Sequence, residues 1–179
     1  MNTRQAGMTL VELMVALAVA IVLMAIGIPA FQNLQITNRA AAQVNGFVTA
    51  LNLAKAEAVG RGAPVSVCSK ASTDPANTAC GDGANWVNGW QVFTDATGTA
   101  GALDGSDELV RVFGQPLGQV SFTGAPAFFR FNSRGERIDG GAESFLLVPS
   151  TTCSSGRPEN RRIRILGSGQ ITTTREACT

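Results

Sequence analysis

The sequence predicts an α+β protein: a long N-terminal α-helix, membrane-spanning in its first half, packed on an antiparallel β-sheet domain. Three observations predict it. Leu13 to Ile28 carries no charge and no strongly polar side chain. Phe47, Leu51, Ala54 and Ala58 then recur at helical spacing, with Val44 and Val48 beside them, as one apolar stripe. After Gly62 the pattern changes to short apolar segments separated by turn residues, with no helical period.

The chain opens with "MNTRQAG", a leader holding one basic side chain and ending in Gly7. With Met8 to Val11 added, the apolar run reaches about 20 residues, interrupted by Thr9 and Glu12, close to the length that crosses a bilayer as a helix. A cleaved secretory signal would need a small-residue cleavage site after its apolar stretch. Here "PAFQNLQITNRAAAQV" reads on as helix instead. Pro29 falls inside, where a kink or local unwinding is expected. Gly60 and Gly62 supply the stop. A helix from Met8 to Val59 would be roughly 78 Å long. Only about 30 Å of it fits in hydrocarbon, so the outer half must lay its stripe on the domain that follows. The expected organisation is a leader at 1–7, a membrane segment at 8–28, an amphipathic half-helix at 29–60 and a β-rich domain at 61–179.

That domain reads as about seven strands with no helix between them. They lie in "APVSVCS", which alternates, then "NGWQVFTD", "ELVRVFG", "QVSFTG", "AFFRFNSRGER", "SFLLVPS" and "RRIRILGSGQITT". Phe128, Phe129 and Phe131 are expected in the core, as is Trp90 at the start of its strand. Trp86 is equally suited to plugging an edge or stacking on a ligand.

Composition narrows the function. The formal net charge is +1 and there is no His, which removes the commonest general base and metal ligand. The cysteines Cys68, Cys80, Cys153 and Cys178 form no C-x-x-C pair, so a zinc site is not indicated. Pairing Cys68 with Cys80 and Cys153 with Cys178 is the simplest of the three connectivities, each bridge closing a polar loop worth about 3 kcal/mol. Disulfides imply an oxidising compartment such as the periplasm, four reduced buried thiols being the alternative.

Glu12 is the anomaly. A carboxylate in a membrane helix is costly and by default marks a function. No basic residue lies nearby on its face. Cutting after Gly7 would create an amine on Met8, four residues away, available to Glu12 of the same chain or of the next one. In the second case the charge is neutralised only when subunits stack. On the residues alone, a glutamate snorkelling to the interface is an equal reading.

"AGMTLVELMVALAVAIVLMAIGIPAF" closely resembles the N-terminus of type IV prepilins and type II secretion pseudopilins. The shared signature is a short basic leader ending in Gly, an aromatic or Met, then Thr, Leu, any residue and Glu, and an apolar helix with a Pro. The resemblance implies that a prepilin peptidase cuts after Gly7 and N-methylates Met8, and that Glu12 neutralises a neighbour's terminus during assembly. Met8 stands where Phe is commonest. Further on, "LNLAKAEAVGRGAPVSVC", "WVNGWQVFTDATG" with "DELVRV", "FRFNSRGER" and "RRIRILGSGQI" resemble the GspH/FimT family: minor pilins of the FimT and FimU type and pseudopilin H of type II secretion. This implies an inner-membrane protein with a periplasmic C-terminal domain that joins a pilus or pseudopilus with other pilins or pseudopilins.

The other candidate sites are weaker. Arg157, Arg161, Arg162 and Arg164 lie close together and Arg175 follows. From Cys153 onward five Arg face two Glu, whereas Lys70 to Glu108 carries six acids against one Lys. In a strand, Arg162 and Arg164 share one face while Arg161, Ile163 and Ile165 share the other. Two such arginines suit phosphate, and "GRPENRRIR" is similar to the Arg-rich tail of FimT-type pilins that bind DNA during natural transformation. Pro158, Glu159 and Asn160 interrupt the usual spacing. Solvated or subunit-pairing arginines are the alternative. Asp95, Asp104, Asp107 and Glu108 lack EF-hand spacing and read as turn chemistry, so no metal and no cofactor is expected. Without His, a G-x-S-x-G or a phosphate loop, and with lysines only at Lys55 and Lys70, no enzyme is indicated.

Overall fold

The computed structural model describes residues 9–83, 85–105, 107–116, 120–138, 140, 142–148 and 160–177, with backbone alone at 29, 30, 33, 36, 37, 40 and 85. The chain divides into two compact units, one ending at Thr37 and the other spanning Asn38–Thr179. Helix α1 runs Leu10–Arg61 and stays helical through Pro29.

In the first unit the large apolar side chains of α1 are exposed, Leu10 at 76% and Ile26 at 69%. Leu10–Ile28 has a mean hydropathy of 2.7 and is long and apolar enough to cross a membrane.

In the second unit the predicted stripe is the buried one. Phe47, Ala50, Leu51, Ala54 and Ala58 are fully inaccessible, and Val44 nearly so. The helix runs on through Gly60, which was expected to help stop it, and ends at Arg61 because Gly62 takes a left-handed conformation, φ 66°, which only Gly adopts without cost. Arg61 caps the last turn by pairing with Glu57 and with Glu108, each at 2.7 Å.

Among the described residues eight strands follow: β1 (Val65–Ser69), β2 (Trp90–Thr94), β3 (Leu109–Phe113), β4 (Ser121–Thr123), β5 (Phe128–Phe131), β6 (Glu143–Val148), β7 (Asn160–Ile165) and β8 (Ile171–Glu176). They form two four-stranded antiparallel sheets, ordered β3-β2-β1-β5 and β4-β6-β7-β8. The count exceeds the expected seven because "RRIRILGSGQITT" folds back on itself as the β7–β8 hairpin. A 3₁₀ turn, Asn85–Asn88, precedes β2.

The inner faces of both sheets meet on the Phe47 ring. It lies edge-on to Trp86 and Trp90, both at 5.1 Å, and 6.0 and 5.5 Å from Phe129 of β5 and Phe145 of β6. Edge-to-face contacts of this kind add to the apolar area they bury. Trp90, Phe129 and Phe131 are core, as the sequence indicates. Phe128 is a correction. It is half-buried because adjacent strand residues face opposite sides.

β1 was expected to alternate, yet all five residues are buried. The reason is a covering layer on the outer face of the first sheet. Thr78 O accepts from Gln91 Nε2 at 2.5 Å, and the Gly101 amide donates to Asp95 Oδ2 at 2.8 Å. The segments between β1 and β2 and between β2 and β3 thus lie over Ser66, Cys68, Gln91, Phe93 and Asp95, none of which reaches solvent. The Cys68–Cys80 disulfide fastens the first segment. Elsewhere, Gly169 (φ 73°) seats the β7–β8 turn so close to the turn after β5 that a Cβ there would meet Gly135 O at 2.0 Å. Lys55 Nζ fixes that turn by donating to Gly169 O at 3.1 Å.

Candidate functional site

The N-terminal site is built at the first turn of α1. Gly7 and Met8 lie outside the described residues. Thr9 Oγ1 accepts the Glu12 amide at 3.3 Å, and Thr9 O accepts the Leu13 amide at 3.2 Å. Thr9 is therefore the N-cap, and Thr-x-x-Glu has the spacing of a capping box. That motif was legible in the sequence but was not read there. The Glu12 side chain is exposed among exposed apolar neighbours such as Leu13 and Met14. A carboxylate in the first turn suits the positive end of the helix dipole. No Lys or Arg occurs between Arg4 and Arg39, so no side-chain cation of this stretch can neutralise it.

The arginine strand divides its side chains between two faces, as the alternation requires. Arg161 is buried, at 5% exposure, on the core side with Ile163 and Ile165. Its strand partner is Arg175. Burial first, and the Arg175 charge second, lower its pKa. Arg162 lies on the outer face and is held by Glu176. Its Nε pairs with one carboxylate oxygen and its Nη2 donates to the other at 2.7 Å, while Nη1 donates to Ser144 Oγ at 3.2 Å. The hydrogen bonds to Glu176 raise the Arg162 pKa, and those from Arg162 lower that of Glu176. Arg164 is exposed on the outer face and Arg175 is exposed beside Arg161. Arg157 and Cys153 lie outside the described residues, as does Cys178. The strand thus does not gather its arginines into one patch. The pairing of Arg162 with Glu176 follows only once the β7–β8 register is known.

The acidic residues also separate. Asp95 is buried at the end of β2, where its Oδ2 accepts from Ser66 Oγ at 2.5 Å and pairs with Arg130 Nε at 3.3 Å. Arg130 Nη2 also donates to Asp95 O at 2.6 Å. Nothing in the sequence signals this cluster, whose members lie in β1, in β5 and just after β2. Asp104 accepts the Thr99 amide at 2.9 Å, Asp107 accepts the Asp104 amide at 3.3 Å, and Glu108 turns to Arg61. These are the turn braces expected of Asp in loops. Among the described residues, no three acidic, His or Cys side chains gather to hold a metal. Trp86, which the sequence leaves open, is fully buried and donates from Nε1 to Pro126 O at 2.7 Å. It is structural. Lys70 is buried and donates to Asp74 O at 2.9 Å.

An exposed apolar helix headed by a capped glutamate and continuing into an α+β domain defines the pilin-like class. The comparisons agree. Residues 2–28 match the prokaryotic N-terminal methylation motif, and residues 43–169 match the type II transport protein GspH family model. The chain belongs to the GspH family. In fold it is similar to the type IV minor pilin FimU of Pseudomonas aeruginosa strain PAO1, with a TM-score of 0.53 at 16% identity over 83% of this chain and 99% of that one. A second crystal form of that pilin gives a TM-score of 0.49 at 17% identity, over 78% of this chain and 98% of the other. A search of curated proteins returned no match. Family and fold are those of structural components that assemble with other pilins or pseudopilins.

Proposed function

We propose that this chain is a minor pilin, or the equivalent pseudopilin H. It is cut after Gly7 by a prepilin peptidase, N-methylated on Met8, and built into a type IV pilus or type II secretion pseudopilus, or used to prime one. Residues 8–28 anchor it in the inner membrane before assembly and lie in the filament core afterwards. Residues 29–60 carry the helix onto the periplasmic domain at 61–179. One observation carries this reading. The apolar half of α1 is bare with Glu12 in its first turn, whereas the stripe of its other half is buried under the β-domain. A helix left so exposed is suited first to lipid and then to the helices of neighbouring subunits. Glu12 meets the terminal amine of a neighbour.

The test is Glu12→Ala in the full chain. The variant is expected to be cut and to remain in the membrane fraction, yet to be absent from sheared filaments. Normal incorporation would sink the pairing.

DNA capture by the arginine strand is the other reading. Its support is the excess of Arg after Cys153. The engagement of Arg162 with Glu176 and the burial of Arg161 favour the assembly reading. DNA binding that falls steeply with salt, and is lost in Arg162→Ala/Arg164→Ala, would reverse that preference.

A further inference from the structure

We propose that the free edge of β8 docks an extended segment of a different pilin, which joins the second sheet as a further strand. Among the described residues the two sheets leave four edge strands, β3, β5, β4 and β8. β3 is broken by a register shift opposite Val92 and Phe93, and irregularities of that kind hinder pairing. β5 is covered, since Ile138 N donates to Arg130 O at 3.0 Å as the chain returns from the turn after that strand. β4 has only three residues. β8 has six, all in regular register with β7, and Thr172, Thr173, Thr174 and Arg175 are exposed.

The hairpin decides which backbone groups β8 offers. Leu166 N donates to Gln170 O at 2.9 Å where the hairpin closes. Backbone direction alternates from that pair, so Thr172, Thr174 and Glu176 turn their amides and carbonyls to β7. Those of Ile171, Thr173 and Arg175 turn outward. A row of such groups at strand spacing is complementary to another extended polypeptide. Arg175 adds a charge requirement. Among the described residues no carboxylate pairs with it, and its strand partner Arg161 is a second cation. Glu176, on the opposite face, is already held by Arg162. The strand that fits therefore carries an acid where it passes Arg175.

The occupant is a different chain rather than a second copy. Antiparallel pairing of two β8 edges runs about a two-fold axis normal to the sheet. That axis would reverse the α1 of one copy, which packs on the sheet, relative to the α1 of the other. Chains anchored in one membrane share one helix direction. The inference rests on the proposed reading as a minor subunit whose neighbours are other pilins, and it names the surface that selects one of them.

The test places the photo-crosslinker p-benzoylphenylalanine at Thr172 in the full chain, in cells making filaments. Adducts are mapped by proteolysis and mass spectrometry. The expected adduct joins β8 to a segment of a different chain that carries the N-terminal methylation motif. Thr173→Pro removes an outward amide and should lower the adduct about tenfold, with the melting temperature in detergent little changed. Thr174→Pro removes an amide turned to β7 and should lower that temperature markedly. Arg175→Gln should lower the adduct about threefold. The proposal fails if no such adduct forms, or if Thr172 couples only to a second copy or to nucleic acid. It fails equally if Thr173→Pro or Arg175→Gln leaves the adduct unchanged, or if the two proline variants lose stability alike. Recovery of the wild-type chain in sheared filaments separates this failure from that of the filament reading. A chain that enters filaments without the adduct loses only the edge pairing. A chain that never enters them loses the filament reading as well.

Discussion

Arg162 of β7 and Glu176 of β8 form a two-point ion pair across one step of the hairpin, with both carboxylate oxygens engaged by one guanidinium. Two parallel contacts fix the planes of both groups, which a single lysine contact would not do. The pair ties the last strand to its neighbour at the open edge of the second sheet. It also removes one arginine from the set available to an outside anion.

The pair has a pH signature. Hydrogen bonds from Arg162 hold the Glu176 carboxyl below its ordinary value of 4.5. A carboxylate with a depressed folded-state pKa stabilises the fold above its unfolded pKa and loses that contribution as pH falls through the folded one. Glu176→Gln should therefore lower the melting temperature slightly at neutral pH, by an amount that shrinks below about pH 4. Thermal unfolding of wild type and variant from pH 7 to pH 3 checks this. A gap that widens in acid would contradict the pairing.

Phe47 of α1 touches rings of both sheets. Phe47→Ala leaves a cavity between Trp86, Trp90, Phe129 and Phe145, and should cost about 3–5 kcal/mol. Val48→Ala, on a partly buried neighbour, should cost much less. Denaturant unfolding of the two variants gives the comparison. Near-equal losses would mean that the core does not centre on that ring.

The Cys68–Cys80 bridge closes a loop with a sequence separation of 12. Loss of loop closure in Cys68→Ser/Cys80→Ser should destabilise by about 3 kcal/mol. Because Gln91 also grips Thr78 O, the layer should loosen rather than leave, and hydrogen exchange should rise mainly between residues 70 and 83. Uniformly faster exchange through both sheets would show that the bridge supports the whole domain.

What the sequence disclosed follows from how local each signal is. The stripe from Val44 to Ala58 and the stop at Gly62 were legible because helical period and a left-handed Gly are properties of a few adjacent residues. The strand positions were legible from turn residues. The split into two sheets was not, because it depends on which strands pair, and pairing joins residues as distant as Val67 and Phe129. The full burial of β1 was hidden for a related reason. The loops that cover its outer face are polar and read as solvent-exposed. At the candidate site, the alternation of Arg161 and Arg162 was foreseen, but Glu176 as the partner of Arg162 required the hairpin register. Trp86 stayed ambiguous until its burial and its bond to Pro126 were seen.

Thr9 and Glu12 offer a way to separate two effects at the head of the helix. Thr9 Oγ1 accepts the Glu12 amide and so fixes where the helix begins. The proposed role of Glu12 uses its side chain instead. Thr9→Val keeps the shape and removes the acceptor, which should weaken the first turn by about 1 kcal/mol, as loss of an N-cap does, while the carboxylate remains. Cleavage after Gly7 and retention in the membrane should survive, and incorporation into filaments should fall only partly. Glu12→Gln, which keeps the size and removes the charge, should abolish incorporation. The measurement is the ratio of filament-bound to membrane-bound chain in the two variants. Equal defects would assign the requirement to the start of the helix. A severe defect confined to Glu12→Gln would assign it to the charge.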